Sequence, residues 1–146
     1  MKKVVLSVLL VSAVALQGFS LNFGPLVNDA IAHLGRAVPN GFVHVSDGTD
    51  GRRFFENQYR DWLTVVNGVV VSYEFAIGNI TTGDMLFDVR TAFRDHFRNI
   101  GFAPAGMGSQ GDEVFEFEIN ESAGMEVMII THVTEMRVTV IIRSMI

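Results

Sequence analysis

The sequence predicts an α+β fold in which two principal helices pack on a largely antiparallel sheet. Two segments, 25–38 and 84–100, repeat apolar residues at helical spacing, and the last third alternates apolar and polar residues in three runs. Those three runs predict a C-terminal meander. A helix followed by strands occurs twice, which leaves a tandem arrangement of two halves open. The length of 146 residues suits one domain.

The first twenty residues have the composition of an export signal. Lys2 and Lys3 precede an apolar stretch over 4–15 that ends in the small-x-small pattern at Ala15. We therefore expect a signal peptide over 1–20 and a single exported domain over 21–146, in the periplasm or outside the cell. The apolar run is shorter than the roughly 20 residues that a membrane span needs, but residues 4–21, with Gln17 among them, could just serve as an anchor. An uncleaved anchor is therefore the alternative. The cleavage site stays open.

The composition excludes several classes of chemistry. The chain has no cysteine, which excludes thiol nucleophiles and thiolate metal sites. Both lysines lie in the signal, so 21–146 has no lysine for Schiff-base chemistry or a phosphate loop. Its nine arginines against 16 carboxylates give a charge of −7, which argues against broad nucleic-acid binding. We predict no cofactor.

The two helices have recognisable ends. Pro25 suits the first turn of the first helix, and Pro39 stops it. The second helix can be capped by Thr81 or Thr82 and ends before Gly101. Its buried stripe is predicted to consist of Leu86, Val89, Phe93, Phe97 and Ile100.

Strand signals flank an ambiguous segment in the first half. Residues 42–46 predict a strand, and 47–51 predict a tight turn rather than a calcium loop, since two acidic ligands are missing. Residues 52–62 have helical spacing, whereas Asn67-Gly68 between two apolar runs predicts a type I′ hairpin. The structure of 52–62 is left open, and 69–77 is predicted as a strand.

The C-terminal hairpins carry a predicted register. Pairing Ile119 with Val127 leaves a three-residue loop over 122–124, and a four-residue loop closes Val133 on Val138. Residues 106–111 match G-x-G-x-x-G, but a helix precedes them and a strand follows. That order is wrong for a dinucleotide site, so we expect a flexible loop.

The predicted register assigns residues to the second face of this C-terminal sheet. A solvated face would not carry so many apolar residues at its centre, so something should cover it. One interpretation is that the N-terminal half packs there. The other is a ligand-binding or partner-binding surface with an apolar centre and a charged rim. That surface would consist of Glu116, Glu118, Met128, Ile130, His132, Ile141 and Arg143.

The remaining polar patterns point to no cofactor or metal. Arg90, Arg94 and Arg98 repel slightly at i,i+4 spacing unless an acidic partner lies across them, and we interpret them as a solvated face. The histidines lack the paired spacing of a helical zinc site, so no metal site is predicted.

Together these observations predict an exported, non-catalytic binding or interaction domain. The partner would be a protein, a second copy or a small ligand, with no nucleic acid and membrane contact only through an uncleaved N-terminal segment. The alternative is a small acid-base enzyme of the hydrolase or lyase type, using glutamate and histidine side chains near His132.

Overall fold

The computed structural model describes residues 21–145, which form two helices and one eight-stranded antiparallel sheet. This architecture confirms the predicted α+β class and the C-terminal meander. The predicted signal over 1–20 lies outside the described residues. The elements in chain order are α1 (Gly24–His33), β1 (Val43–Asp47), β2 (Arg52–Glu56), β3 (Trp62–Val66), β4 (Val69–Ile77), α2 (Gly83–Asn99), β5 (Ala103–Gln110), β6 (Glu113–Asn120), β7 (Met125–His132) and β8 (Arg137–Ser144).

Residues 21–145 consist of two similar halves, each a helix followed by four strands. Across the sheet the strand order is β1-β2-β3-β4-β8-β7-β6-β5, so the last strand of each half lies at the centre. If each strand of one half is exchanged with the corresponding strand of the other, β1 with β5 and so on to β4 with β8, the same order results. This is the symmetry of an approximate two-fold axis between β4 and β8. The N-terminal half therefore extends the same sheet edge to edge and does not cover the second face.

The core lies between the sheet and the two helices, which pack on the same face. Helix α1 contacts β4, and α2 contacts β7 and β8. Phe93 of α2 is fully buried and stacks on Phe23, with ring centroids 4.3 Å apart. On the sheet side the core residues of the two central C-terminal strands are Val127, Ile129, Val138, Val140 and Ile142. Burying each such side chain contributes roughly 1.5–3 kcal/mol.

The helix ends follow local hydrogen bonding. The hydroxyl of Thr82 accepts from the backbone N–H of Met85 at 3.1 Å, which caps α2 as predicted. Helix α1 ends at His33, five residues before the predicted end. Beyond it the N–H of Gly35 donates to the carbonyl of Val70, so backbone pairing with β4 replaces the last helical turn.

Residues 52–62 form β2, a turn and the start of β3, which answers the question that the pattern left open. Asn67 and Gly68 have φ of 53° and 80°, the left-handed conformation of the predicted type I′ turn between β3 and β4. The turn predicted over 47–51 is present as residues 48–51, between β1 and β2, and Asp47 is the last residue of β1. Both turns follow from residue types that tolerate positive φ.

The predicted β6–β7 register is wrong by one residue. Asn120 pairs with Met125 and Ile119 with Glu126, which leaves a four-residue loop over 121–124. The side-chain oxygen of Asn120 accepts from the Ser122 hydroxyl at 2.9 Å and the Ala123 N–H at 3.1 Å, so the turn starts earlier than predicted. A slip of one residue exchanges the two faces of a strand.

Two other C-terminal predictions also need correction. Residues 106–110 are not a loop but part of β5, which pairs with β6 with one irregularity at Ala105. Glycines give no alternation, so the pattern could not reveal this strand. The second hairpin has the predicted four-residue loop, but His132 pairs with Arg137. This shift of two positions leaves the faces of β7 and β8 as predicted.

Candidate functional site

Glu116 and Glu118 of β6 lie beneath α2, not on the second face where the predicted register put them. Their side chains are almost fully buried. The guanidinium of Arg98 donates through Nε and Nη2 to the two carboxylate oxygens of Glu118, at 3.3 and 3.2 Å. Arg90 and Arg94 lie 3.7 and 3.8 Å from the carboxylate oxygens of Glu116. The arginine row on α2 is therefore no merely solvated face, because its acidic partners belong to the same chain.

This layer of ion pairs holds the helix on the sheet. The hydrogen bonds that Arg98 donates to Glu118, together with the negative charges of Glu118 and Glu116, raise the pKa of Arg98 above its usual value. With their oxygens directed at α2, neither glutamate can belong to a binding surface on the other side of the sheet. With the same register, the side chains of Phe115, Phe117 and Ile119 project from the face opposite the helices.

The face opposite the helices, here called the open face, has an apolar centre. Among residues 21–145 no helix or strand lies on this side of the sheet. Three predicted surface residues, Met128, Ile130 and Ile141, are on this face. Three further apolar residues on β6 join them because of the corrected register. The apolar centre thus consists of Phe115, Phe117, Ile119, Met128, Ile130 and Ile141.

The β5 edge leaves the two aromatic rings of this centre, Phe115 and Phe117, partly exposed. Gly108 pairs with Phe115 and Gly106 with Phe117, so the β5 residue directly opposite each ring has no side chain. A Cβ atom built on either glycine would meet nothing within 4 Å. Ile130 is buried, at 9% exposure, and the other five side chains of the apolar centre are half-buried, so the centre is partly accessible.

One end of the open face carries a buried polar cluster around His132. The Nε2 atom of His132 lies 2.9 Å from the hydroxyl of Thr139, within hydrogen-bonding geometry. A carboxylate oxygen of Glu113 lies 2.8 Å from Nδ1, although it is off the line of an N–H bond. His132 and Thr139 are only 5% and 6% exposed. A substrate would have to displace neighbouring side chains to reach the threonine hydroxyl.

The two β8 arginines near this face have carboxylate partners. Arg143 of the predicted surface lies 2.6 Å from an oxygen of Glu126, and Arg137 lies 3.1 Å from Glu135. These pairs are partly exposed, so each contributes little to stability, typically about 1 kcal/mol or less. Each of these two arginines therefore has its nearest carboxylate partner on its own side of the sheet, Glu126 for Arg143 and Glu135 for Arg137.

The N-terminal half contributes an aromatic and acidic part of the open face. Trp62 of β3 pairs with Glu56 of β2 on one side and with Glu74 of β4 on the other. Phe54 stacks on Trp62 with ring centroids 5.7 Å apart. Burial raises the pKa of Glu74, against the opposing effect of the positive charges of Arg137 and His132. The sequence pattern did not identify this part, since its members come from three strands.

A second buried polar pair lies on the helix side, under α1. The hydroxyl of Tyr73 donates to Oδ2 of Asp61 at 2.8 Å, and both residues are almost fully buried. Burial, and then the charge of Asp61, raises the pKa of Tyr73, so the phenol stays protonated and remains a donor. The ring of His33 stacks on Tyr73. This pair joins α1 and the β2–β3 turn to the core.

Comparison with known proteins finds no family model, no curated protein and no solved structure that matches this chain. Within 21–145, no three histidine or carboxylate side chains are grouped so that they could hold a metal ion. Neither described helix is long and apolar enough to cross a membrane.

Proposed function

We propose that this chain is an exported, non-catalytic binding domain whose open face receives an apolar segment of a partner protein. One observation carries the proposal, namely the contiguous group of six apolar side chains on a sheet face that no described element covers. A contiguous apolar patch on a soluble protein is typical of an interaction site. Export rests on the composition of residues 1–20.

The surroundings of the patch also favour binding over catalysis. Its apolar centre is flanked by charged groups, as in many protein interfaces. The glycines of β5 leave Phe115 and Phe117 partly exposed, and aromatic residues often supply most of the binding energy. The polar cluster at His132 is buried and offers a substrate little access.

Photo-crosslinking in the producing cells tests this function. A benzophenone amino acid would replace Phe117 on the open face or, as a matched control, Phe87, which is 54% exposed on α2. We expect a discrete adduct from position 117 only, lost when Met128→Glu is added. Absence of a specific adduct from position 117 under all growth conditions would contradict the proposal.

Fractionation tests export separately. We expect the chain in the periplasmic or extracellular fraction, with its N-terminus, read by mass spectrometry, after Ala15 or near Ser20. Recovery of a full-length chain from the cytoplasm would contradict export, whereas full-length chain in the membrane fraction would identify an uncleaved anchor.

A second candidate function is an acid-base enzyme, favoured by the position of His132 between Glu113 and Thr139. Its test is the hydrolysis of activated esters by the parent and by His132→Gln. A rate that the parent shows and the variant loses, with a pH profile governed by one titrating group, would support the enzyme. Equal rates would exclude this role for His132 on such substrates.

A further inference from the structure

A single row of side chains runs across the open face from its acidic part to its apolar centre. The register pairs Glu56 with Trp62, Trp62 with Glu74, Glu74 with Ile141, Ile141 with Met128, and Met128 with Phe117. Directly paired residues project from the same face of a sheet. Neighbouring strands are about 4.8 Å apart, so these six positions span roughly 24 Å. One end of the row is acidic and aromatic, and the other is apolar.

The carboxylates in this row lack a counter-charge close by. Within the part of the chain that the structure describes, neither Glu56 nor Glu74 forms an ion pair or a side-chain hydrogen bond. Arg143 and Arg137 are closer to other carboxylates, and Arg137 and His132 act on Glu74 only through longer-range attraction. The chain as a whole has a net charge of −5. This end of the row therefore complements a positive charge.

Trp62 makes the acidic end selective for a cation on an organic side chain. An indole face attracts a guanidinium or ammonium group within about 6 Å, and arginine is the commonest partner. The stack of Phe54 on Trp62 holds the indole, and the carboxylates of Glu56 and Glu74 project from the strands on either side. A basic side chain lying on the indole could reach either carboxylate.

We propose that the open face binds a peptide segment with a basic end and an apolar run. Its arginine or lysine would lie against Trp62 between Glu56 and Glu74, and its apolar side chains would cover Ile141, Met128 and Phe117. This inference rests on the proposed binding function of the open face and adds the chemical class of the partner. It explains why one sheet face combines two unpaired carboxylates with an apolar centre.

Trp62 is the only tryptophan in the chain, so its fluorescence reports on this site directly. The probe is a synthetic peptide with two arginines at one end followed by ten leucine and alanine residues. A matched peptide carries glutamates in place of the arginines. With the purified full-length chain, we expect a saturable change in Trp62 emission with the basic peptide and none with the acidic one. Added salt should weaken binding.

Substitutions then test the named residues. Glu74→Gln and Glu56→Gln should each raise the dissociation constant roughly fivefold, as expected for removing one partly exposed charge pair. Met128→Glu should raise it further, because it puts a charge in the apolar part of the row. Glu121→Gln, in the exposed β6–β7 loop, is the matched control and should leave binding unchanged.

The outcomes separate this inference from the proposed function. Equal binding of the basic and acidic peptides, unaffected by Glu56→Gln or Glu74→Gln, would overturn the cationic partner and leave an apolar binding face. No binding of either peptide, together with a specific adduct from position 117, would overturn the inference alone. No binding and no adduct would overturn both proposals.

Two other occupants of the face have signatures of their own. A concentration-dependent dimer in sedimentation, abolished by Met128→Glu, would identify a second copy and overturn the peptide proposal. A change in the Trp62 emission of the free chain on replacing Lys2 and Lys3 with glutamine would identify the chain's own N-terminal segment, and it would overturn a separate partner.

Discussion

The guanidinium of Arg98 on α2 donates two hydrogen bonds to the carboxylate of Glu118 on β6, at 3.3 and 3.2 Å. This contact lies at the boundary between helix and sheet, where Glu118 is buried and Arg98 is half exposed. It determines which face of β6 meets the helix. As a consequence, the phenylalanines of the same strand project from the open face, where the binding function is proposed.

Removing the two arginines that pair with Glu116 should cost more stability than removing the charge of Glu116 itself. Removing both cations with Arg90→Ala and Arg94→Ala leaves a buried carboxylate without a charge partner, and we expect a loss of about 3 kcal/mol in the free energy of unfolding. Glu116→Gln should cost about 1 kcal/mol, because the two arginines keep some access to water. Urea denaturation measures both values. Equal losses of stability in the two variants would show that the arginines do not act by neutralising the charge of Glu116.

Two adjacent residues of β7 should tolerate the same substitution to very different extents. Val127 is 1% exposed in the core, so Val127→Glu should unfold the chain or cost more than about 4 kcal/mol. Met128 is half-buried on the open face, so Met128→Glu should leave a folded chain with a much smaller loss. Circular dichroism melting compares the two variants. If Met128→Glu also unfolds the chain, the open face is covered in the native protein.

The half-buried carboxyl of Glu74 should make stability depend on pH. Its pKa is raised above the ordinary value of 4.5, mainly by burial, while Arg137 and His132 act in the opposite direction. The folded chain therefore holds this proton more tightly than the unfolded chain, and stability falls as pH rises from about 4.5 through the raised pKa. Glu74→Gln should be more stable than the parent at pH 7, and this advantage should disappear below about pH 4.

Urea midpoints at pH 3.5 and 7 measure the effect of Glu74, with Glu121→Gln as an exposed control. A variant that gains stability while losing peptide binding is the signature of a residue kept for function. If Glu74→Gln is less stable than the parent at pH 7, the carboxylate stabilises the fold and our interpretation of Glu74 is wrong.

The Tyr73 hydroxyl should contribute to stability through Asp61. Tyr73→Phe removes the donor 2.8 Å from a buried carboxylate oxygen, and we expect a loss of about 2 kcal/mol. Tyr59→Phe, in the β2–β3 turn, is the control and should change stability by less than about 0.5 kcal/mol. Thermal unfolding of the two variants compares them. A neutral Tyr73→Phe would show that other groups satisfy Asp61 fully.

Local patterns in the sequence were sufficient for most of the elements. The helical stripe and the Thr82 cap predicted α2 to within a residue at each end, and Asn67-Gly68 predicted the hairpin turn. The alternation of Phe115 to Ile119 correctly predicted a strand. These features depend on interactions between residues close together in the chain, which composition and spacing express directly.

The face on which each β6 side chain lies depended on contacts between distant residues. Asn120 starts the β6–β7 turn one residue early, and Arg90, Arg94 and Arg98 draw the glutamates beneath the helix. The arginine row did carry a signal, since its repulsion called for an acidic partner across it. The arginine row does not indicate which carboxylates are its partners. Glu116 and Glu118 alternate with Phe115 and Phe117, and the pattern alone fits a strand with its phenylalanines facing the core.

The sequence by itself determined the α+β class, the main helices and the hairpin chemistry, because propensity and periodicity are local properties. It also limited the available chemistry through the absence of cysteine and of lysine beyond residue 3. Only the tertiary structure decided that both helices share one face, and that Glu56, Trp62 and Glu74 form one row with the apolar centre. Strand order and register decide both, and a shift of one residue exchanges the inside and outside of a strand.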